Sequence, residues 1–377
     1  MKIVAFYLPQ FHEIEENNLF WGKGFTEWTN VKKSEALFHG HRQPKLPACL
    51  GYYDLLNEKT IESQMQLASY YGIDVFAVYI YWFNGKSIMD KPLKLLFKFA
   101  KLYNVKIFFV WANENWTRKW DGAETDVLLQ QEHDIEKDLQ IVDHYLDYLK
   151  DEAYFSVQNK SMFGIYRPDI IRDGNLFFKK LRQRFDSSGI NIHLSMIQSF
   201  LNYNPKIYGL DSAIQFPPHQ ISLKSSKFIE LNNGKQLSAH SYKDMAVTAI
   251  SKLSHEFINF PGTMTGWDNT PRMRDKGHVF LGSEAVHFYF WLSNAMHFAN
   301  KFLPDNLQIV FINAWNEWGE GAFLEPDFDS GLSKLNCVRM AKNIFTARYS
   351  KGNKYPDSDS SSLKYDFFES YKHGEFL

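Results

Sequence analysis

The chain has 377 residues, and 42 Lys and Arg against 43 Asp and Glu leave a formal net charge of −1; the length suits one large barrel with insertions or two domains. With no long basic stretch, nucleic acid and an anionic membrane surface are poor partners, and two cysteines, Cys49 and Cys337, supply neither a disulfide framework nor a metal or redox spacing and read as reduced structural thiols. The unusual quantity is aromatic content, 17%, with 10 Trp, 20 Tyr and 33 Phe: part of it must be core, but Trp also stacks on ligands, so its positions matter.

The N-terminus, Met1-Lys-Ile-Val-Ala-Phe-Tyr-Leu-Pro-Gln10, reads as a strand over Ile3–Leu8. It lacks the longer apolar core and small-residue cleavage site of a signal peptide, so a soluble, cytoplasmic protein is expected. A loop of about fifty residues follows, carrying Trp21 and Trp28. Ile61, Met65, Ala68 and Tyr71 then stripe a helix, and Val75–Trp82 reads as a buried strand. This strand runs into Tyr79-Ile-Tyr-Trp-Phe-Asn-Gly85, where alternation puts Tyr79 and Tyr81 on one face and Ile80 and Trp82 on the other.

Leu93, Leu96, Phe97 and Ala100 stripe the next helix before a strand over Val105–Trp111. That strand ends Trp111-Ala-Asn-Glu-Asn-Trp116 and opens a long loop to about Glu132. Asn113, Glu114 and Trp116 are candidate sugar contacts, while Asn115 reads as a loop cap. A helix striped by Leu139, Val142, Leu146 and Leu149 follows, then strands Met162–Tyr166, Ile192–Ile197 and Ser212–Phe216 and a third long loop from Pro217 to about Ser238.

Strand Phe257–Met264 leads into Gly266-Trp-Asp-Asn-Thr-Pro271. There Asp268 and Asn269 either bind hydroxyls or cap the turn before Pro271. The most apolar helix, near Ala285–Phe298, contains His287, Asn294 and His297 and is too short and polar to span a bilayer. Strand Ile309–Ala314 precedes a last helix near Leu335–Ala347, and residues 351–377 read as a polar tail.

Eight strands with intervening helices predict a single α/β domain over residues 1–350, a (β/α)8 TIM barrel with long βα-loop insertions. A doubly wound sheet is the alternative, but Pro9-Gln-Phe-His12 stands where its Gly-rich phosphate turn would be. The three long loops then fall on the active-site face of the barrel. Nine of the ten tryptophans lie at strand ends or in the loops after them, which points to an aromatic-lined cleft; part of this set is expected to form small cores for the loops themselves.

The most informative segment is Asn313-Ala-Trp-Asn-Glu-Trp-Gly-Glu-Gly321. It places Glu317 and Glu320 three residues apart between two tryptophans just after a strand. One carboxyl can serve a leaving-group proton while the other acts at the reacting centre of a sugar. The indoles of Trp315 and Trp318 can stack on pyranose faces, and Asn316 can bond hydroxyls. The plainer reading is a rim salt bridge and a core plug. Glu317 and Glu320 are therefore the candidate catalytic residues. Trp28, Tyr81, Trp82, Trp111, Asn113, Glu114, Trp116, Trp267, Asp268, Asn269, Trp315, Asn316 and Trp318 are the candidate sugar-binding residues. The expected partner is an oligosaccharide or polysaccharide. No metal is expected: thirteen histidines show no His-Glu-x-x-His, and His39-Gly-His41 stands alone. No cofactor is expected, and neither a Gly-x-Ser-x-Gly nucleophile elbow nor a P-loop occurs.

Six ordered motifs, Tyr7-Leu-Pro-Gln-Phe-His12, Phe25-Thr-Glu-Trp28, Tyr81-Trp-Phe-Asn-Gly-Lys86, Trp111-Ala-Asn-Glu-Asn-Trp116, Gly266-Trp-Asp-Asn269 and Asn313-Ala-Trp-Asn-Glu-Trp318, resemble the WbsX-like polysaccharide-biosynthesis proteins. These are related to the endo-α-mannosidases of glycoside hydrolase family 99. The resemblance implies a metal-free (β/α)8 barrel that cleaves α-linked, mannose-like bonds with retention, the substrate's 2-hydroxyl acting as nucleophile through a 1,2-anhydro sugar. It implies that Glu317 is the base on that hydroxyl, that Glu320 is acid to the leaving group and then base to water, and that Tyr7 lines the sugar site. Gly319 replaces a bulkier residue of the hydrolases, which predicts a wider space beside the carboxylates and leaves the mannose preference open. The family's traditional label implies the alternative, a glycosyltransferase of lipopolysaccharide O-antigen or capsule synthesis, for which Asp327-Phe-Asp329 and Asp357-Ser-Asp359 offer Asp-x-Asp patterns. A non-catalytic glycan-binding barrel is a third reading, disfavoured because binding needs aromatics and amides but no carboxylate pair.

Overall fold

The computed structural model describes residues 1–118, 123–129, 131–200, 203–221 and 227–349, with backbone alone at 117–118 and 123–129. Eight parallel strands form a closed ring. They are β1 (Lys2–Tyr7), β2 (Val75–Phe83), β3 (Lys106–Trp111), β4 (Lys160–Ile165), β5 (Ile192–Gln198), β6 (Ser212–Gln215), β7 (Asn259–Phe260 and Gly262–Met264) and β8 (Ile309–Asn313). The strand expected over Phe257–Met264 is thus interrupted at Pro261, which has no N–H to give to a ladder. Its first half pairs with β6 (Ala213 opposite Asn259) and its second with β8 (Gly262 opposite Phe311), so the break is where the barrel closes. Gly262 permits the approach, because a Cβ there would sit 2.0 Å from the Gln215 carbonyl oxygen. β1 completes the ring by pairing with β2 and β8.

All nine residues of β2 are buried, as a strand covered on both faces requires. Aromatic rings fill the interior. Phe6 meets Tyr79, Phe216 and Phe311 at 5.8, 4.8 and 5.7 Å between centroids, and Phe311 also meets Phe108 and Phe260. Outside, the helix Glu58–Tyr71 buries its stripe of Ile61, Met65, Ala68 and Tyr71 against the strands. Asn57 caps its start through a bond from the Lys59 N–H, and Gly72 takes the left-handed conformation at its end. The helix Leu93–Tyr103 buries Leu93, Leu96, Phe97 and Ala100 in the same way. The helix predicted through Leu149 is two, Ile135–His144 and Leu146–Leu149, parted at Tyr145. That ring is fully buried, and its hydroxyl bonds Ser87 at 2.6 Å.

The long βα loops carry structure of their own at the strand ends. The first holds the helices Glu15–Trp21 and Glu27–Lys33. The third-strand loop forms a hairpin of Trp116–Arg118 with Ala123–Leu129. Lys227–Glu230, Gln236–Ser241 and His278–Leu281 make a small sheet beside the mouth. Among the described residues no helix is long and apolar enough to cross a membrane. The polar tail expected at 351–377, with Asp357-Ser-Asp359, lies outside the described residues.

Candidate active site

β8 runs into a tight hairpin in which Asn316–Glu317 pairs antiparallel with Ala322–Phe323 around the single turn Trp318–Glu320. The hairpin is held from behind. The Asn316 side chain accepts from the Leu8 N–H (2.8 Å) and donates to the Leu8 carbonyl (3.0 Å), tying it to the end of β1. The Trp318 indole stacks on Phe323 at 3.8 Å and donates to Glu325 Oε2 at 2.7 Å. Glu325 also accepts from Tyr53 (2.8 Å) and Gln64 (2.6 Å), and Gln64 accepts from the Tyr7 hydroxyl (2.7 Å). Burial pushes the Glu325 carboxyl up to about 7, against the pull of its bonds from Trp318, Gln64 and Tyr53.

In front of this frame, Glu317 and Glu320 meet on one guanidinium. Arg272, from the short helix Thr270–Met273, donates from Nη2 to Glu317 Oε2 (3.0 Å) and from Nη1 to Glu320 Oε1 (2.6 Å). Its Nε donates to Glu27 Oε1 at 2.7 Å. Burial works against the charge of Arg272, but Glu27, Glu320 and Glu317 hold its pKa well above the ordinary value. Burial first, and the charge of Glu320 next, push the Glu317 carboxyl up to about 8; Arg272 opposes them and Glu27 adds to them. The pair can therefore hold a proton near neutral pH, which acid–base work requires. Among the described residues no group of three or more His, Cys, Asp or Glu is arranged to hold a metal ion; between these three carboxylates the cation is Arg272 itself.

Three tyrosines face the pair from the barrel interior. Burial raises the pKa of Tyr79, Tyr81 and Tyr166, and the carboxylates raise it further, so all three remain hydroxyl donors. Tyr81 accepts from Gln10 at 2.7 Å. Across the mouth, half-buried Trp116 lies 5.9 Å from the Tyr81 ring. Glu114 lies 3.8 Å from Arg167, which is bonded through two nitrogens to Asp169 and covers the Phe200 ring. Trp267 meets the edge of His219, whose ring stacks on Phe216.

The expected site residues thus divide. Tyr81, Glu114, Trp116, Trp267, Glu317 and Glu320 surround the mouth. The others are placed behind it, and all but Trp315 have a polar side-chain atom engaged by the protein. Tyr7 is fully buried against Phe76, its hydroxyl on Gln64 beneath the helix Glu58–Tyr71. Trp28 packs among Phe11, Tyr53 and Trp318 and donates to the Tyr53 carbonyl. Trp82 points out of the barrel to the Lys137 carbonyl, and Trp111 lies on the same outer side against His133 and Phe177. Trp315 packs on Phe76, and Trp318 on Phe323. Asn113 gives both ends of its amide to the Arg167 backbone, as Asn316 does to Leu8. Asp268 accepts from His41, Gln43 and Thr270, and although burial opposes ionisation, these partners hold its carboxyl below the ordinary value. Asn269 accepts from the His278 N–H. A strand alternates its faces, so Tyr81 and Trp82 cannot both face one cleft.

The structure also corrects the expectation at Gly319. The space beside it is filled: an added Cβ would sit 2.0 Å from Glu27 Oε1 and 2.7 Å from Arg272 Nε. Glu27, Arg272, Arg167, Tyr166 and His219 were not singled out from sequence. Tyr166 ends a strand on its inward face, a legible signal. Glu27 lies inside a recognised motif, but its partner Arg272 is 245 positions away, and no local pattern joins them.

Residues 3–338 match the family described as "Glycosyltransferase WbsX". The chain is 36% identical over 342 residues to a protein named WxcX in Xanthomonas campestris pv. campestris, in strain B100 and again in strain ATCC 33913. The match covers 90% of this chain and 49% of the relative, so the chain spans about half the length of the curated relatives it matches. Among solved structures it is similar in fold to the GH99 endo-α-mannosidase from Bacteroides thetaiotaomicron, with a TM-score of 0.56 at 16% identity over 93% of this chain and 98% of that one. It is also similar to a "Glycoside hydrolase-like protein", with a TM-score of 0.57 at 15% identity over 90% and 93% of the two chains.

Proposed function

The chain belongs to the WbsX glycosyltransferase family, a family of carbohydrate-active enzymes, and from that premise we propose that it cleaves or transglycosylates α-linked, mannose-like bonds of a surface oligosaccharide or polysaccharide, in the cytoplasm, with retention. The observation that carries the reading is the pair Glu317 and Glu320, joined by Arg272 and faced by tyrosine hydroxyls at the barrel mouth. In the proposed reaction Glu317 removes the proton of the sugar 2-hydroxyl as O2 attacks C1. Glu320 gives its proton to the departing oxygen, and the bond from C1 to that oxygen breaks. In the second half Glu320 takes a proton from water, the water oxygen attacks C1 as the C1–O2 bond formed in the first half breaks, and O2 recovers its proton from Glu317. A sugar hydroxyl in place of water makes the same steps a transfer. A carboxylate whose pKa is pushed up to about 8 is a stronger base than an ordinary glutamate, which suits a weakly acidic hydroxyl.

The family description favours transfer, and transfer from a nucleotide sugar is the second reading. It needs cations for a diphosphate. Arg272 is already committed to three carboxylates and Arg167 to Asp169 and Glu114. In Asp327-Phe-Asp329, Asp327 accepts from Ser330 and Asp329 pairs with Lys45. These engagements support the glycosidic reading. The test is product analysis after incubating the protein with α-mannosides and bacterial surface oligosaccharides, without nucleotide sugar, beside the Glu317→Gln/Glu320→Gln double variant. Cleavage or transfer by the wild type alone is expected. Equal product from the double variant, or product formed only when a nucleotide sugar is added, overturns the proposal.

A further inference from the structure

Gly319 stands in the turn between the two carboxylates, and the volume its missing side chain leaves is taken by Glu27 and Arg272, which arrive from two other loops. Glu27 sits in the first turn of the helix Glu27–Lys33 with its side chain fully buried, and the Arg272 side chain is 11% exposed. A guanidinium is rigid and planar. Carboxylates attached to its Nη1 and Nη2 are therefore spaced by the arginine, and the Nε bond to Glu27 stops the plane from turning. Three carboxylates on one buried guanidinium also leave excess negative charge, a condition that favours retention of a proton.

We propose that Glu27 and Arg272 are positioning residues of the carboxylate pair: Arg272 sets the spacing of Glu317 and Glu320, Arg272 and Glu27 together set how readily the pair keeps a proton, and Gly319 is the opening that admits them. The catalytic meaning of this rests on the glycosidic reading above; the arrangement itself does not. Glu317 is faced by Glu320 on its own hairpin, by Glu27 and Arg272 from the neighbouring loops, and by Tyr79, Tyr81 and Tyr166 from β2 and the end of β4. Glu114 acts on Tyr81 and Tyr166 from the end of β3. Within this set Arg272 favours the ionised form of Glu317 and Glu27 disfavours it.

The test needs no substrate. The full chain is labelled with carbon-13 at the glutamate carboxyls and titrated by carbon NMR, and Glu317 is assigned by its loss in Glu317→Gln. The wild-type midpoint is expected near 8. In Glu27→Gln it should fall, and in Arg272→Met it should rise, each by at least about one pH unit. Arg272→Lys, which keeps the charge, should return it toward the wild type. Circular dichroism confirms folding, and if Arg272→Met does not fold, Glu27→Gln carries the test alone. On any glycoside that is cleaved, the acid limb of kcat/KM in Glu27→Gln should move with the NMR midpoint, whereas a purely structural role would lower the rate without moving the limb. A Glu317 midpoint unmoved in folded Glu27→Gln overturns the proposal. Midpoints that move while no glycoside is cleaved uphold the positioning role and count only against the glycosidic reading.

Discussion

Replacing Gly319 by alanine is the sharpest perturbation of the site. The new Cβ would lie 2.0 Å from Glu27 Oε1, 2.7 Å from Arg272 Nε and 3.2 Å from Arg272 Cζ. Non-bonded heavy atoms settle at about 3.5 Å, so the Glu27 oxygen would have to retreat by roughly 1.5 Å. Glu27 is fully buried, and a retreat of that size breaks its 2.7 Å bond to Arg272. Overpacking costs about 1–3 kcal/mol and breaking a buried ion pair about 3–5 kcal/mol. Because Arg272 keeps its other two carboxylates, the expected loss is about 3 kcal/mol, near the low end of the second range. Urea unfolding of the wild type, Gly319→Ala, Glu27→Ala and the double variant measures it. The 2.0 Å clash disappears with the Glu27 carboxylate, and Arg272, freed from its Nε bond, can yield to the remaining 2.7 Å contact, so the double variant should be more stable than the sum of the single losses by about 1–3 kcal/mol. A Gly319→Ala protein within about 0.5 kcal/mol of the wild type, or strict additivity with Glu27→Ala, would refute the packing argument.

The pH dependence follows from the carboxyls. If Glu317 is the base it must lose its proton, so kcat/KM should rise with pH up to about 8; a profile that falls through that value would make Glu317 the acid instead. Glu325 is held near 7 in the fold against 4.5 as its ordinary value. Its pKa is raised on folding, so its contribution to stability is present below about pH 4.5 and lost by about pH 7, by about 3 kcal/mol. Urea midpoints of Glu325→Gln should therefore decline less between about pH 5 and about pH 8 than those of the wild type, and parallel declines would exclude this role. Glu317 has the same sign over a window reaching about 8, and subtracting the variant from the wild type removes it. Trp82→Phe should cost about 1 kcal/mol through its lost bond to the Lys137 carbonyl and leave KM unchanged. Trp116→Ala, which removes a half-buried ring beside Tyr81 and Phe83, should raise KM; a KM unmoved in Trp116→Ala but raised in Trp82→Phe would put Trp82 in the cleft.

The barrel was legible because parallel strands covered on both faces are continuous apolar runs, and those at Ile3–Leu8, Val75–Trp82 and Ile309–Ala314 end within a residue of the strands observed. The break at Pro261 shows the limit. An apolar run with one proline reads as a strand, while the partner exchange that closes the ring depends on neighbours supplied by β6 and β8. Glu317 and Glu320 stood out because one short loop carries them three positions apart. Trp82 and Trp111 were placed in the cleft from position along the chain alone, although period-two alternation turns Trp82 away from Tyr81. Asn113 and Asn316 look like ligand contacts in sequence because the same amides that bond hydroxyls also clamp backbone, while Tyr7, expected at the sugar site from the resemblance, gives its hydroxyl to the Gln64 side chain; only the partners distinguish these uses.

What the sequence determined by itself was periodic or local: eight strands, the helical stripes between them, and a carboxylate pair after the last strand. Those features depend on residues a few positions apart, where alternation and helical spacing act. What only the tertiary structure decided was the electrostatics of that pair. Glu27, Arg272 and Glu317 come from three distant segments, and their distances of 2.7 and 3.0 Å exist only once the barrel has closed and its loops have packed. Gly319 joins the two levels. In sequence it read as open space, and in the fold it is the place where a buried arginine and glutamate fit, because an absent side chain says nothing about which neighbours will fill the room it leaves.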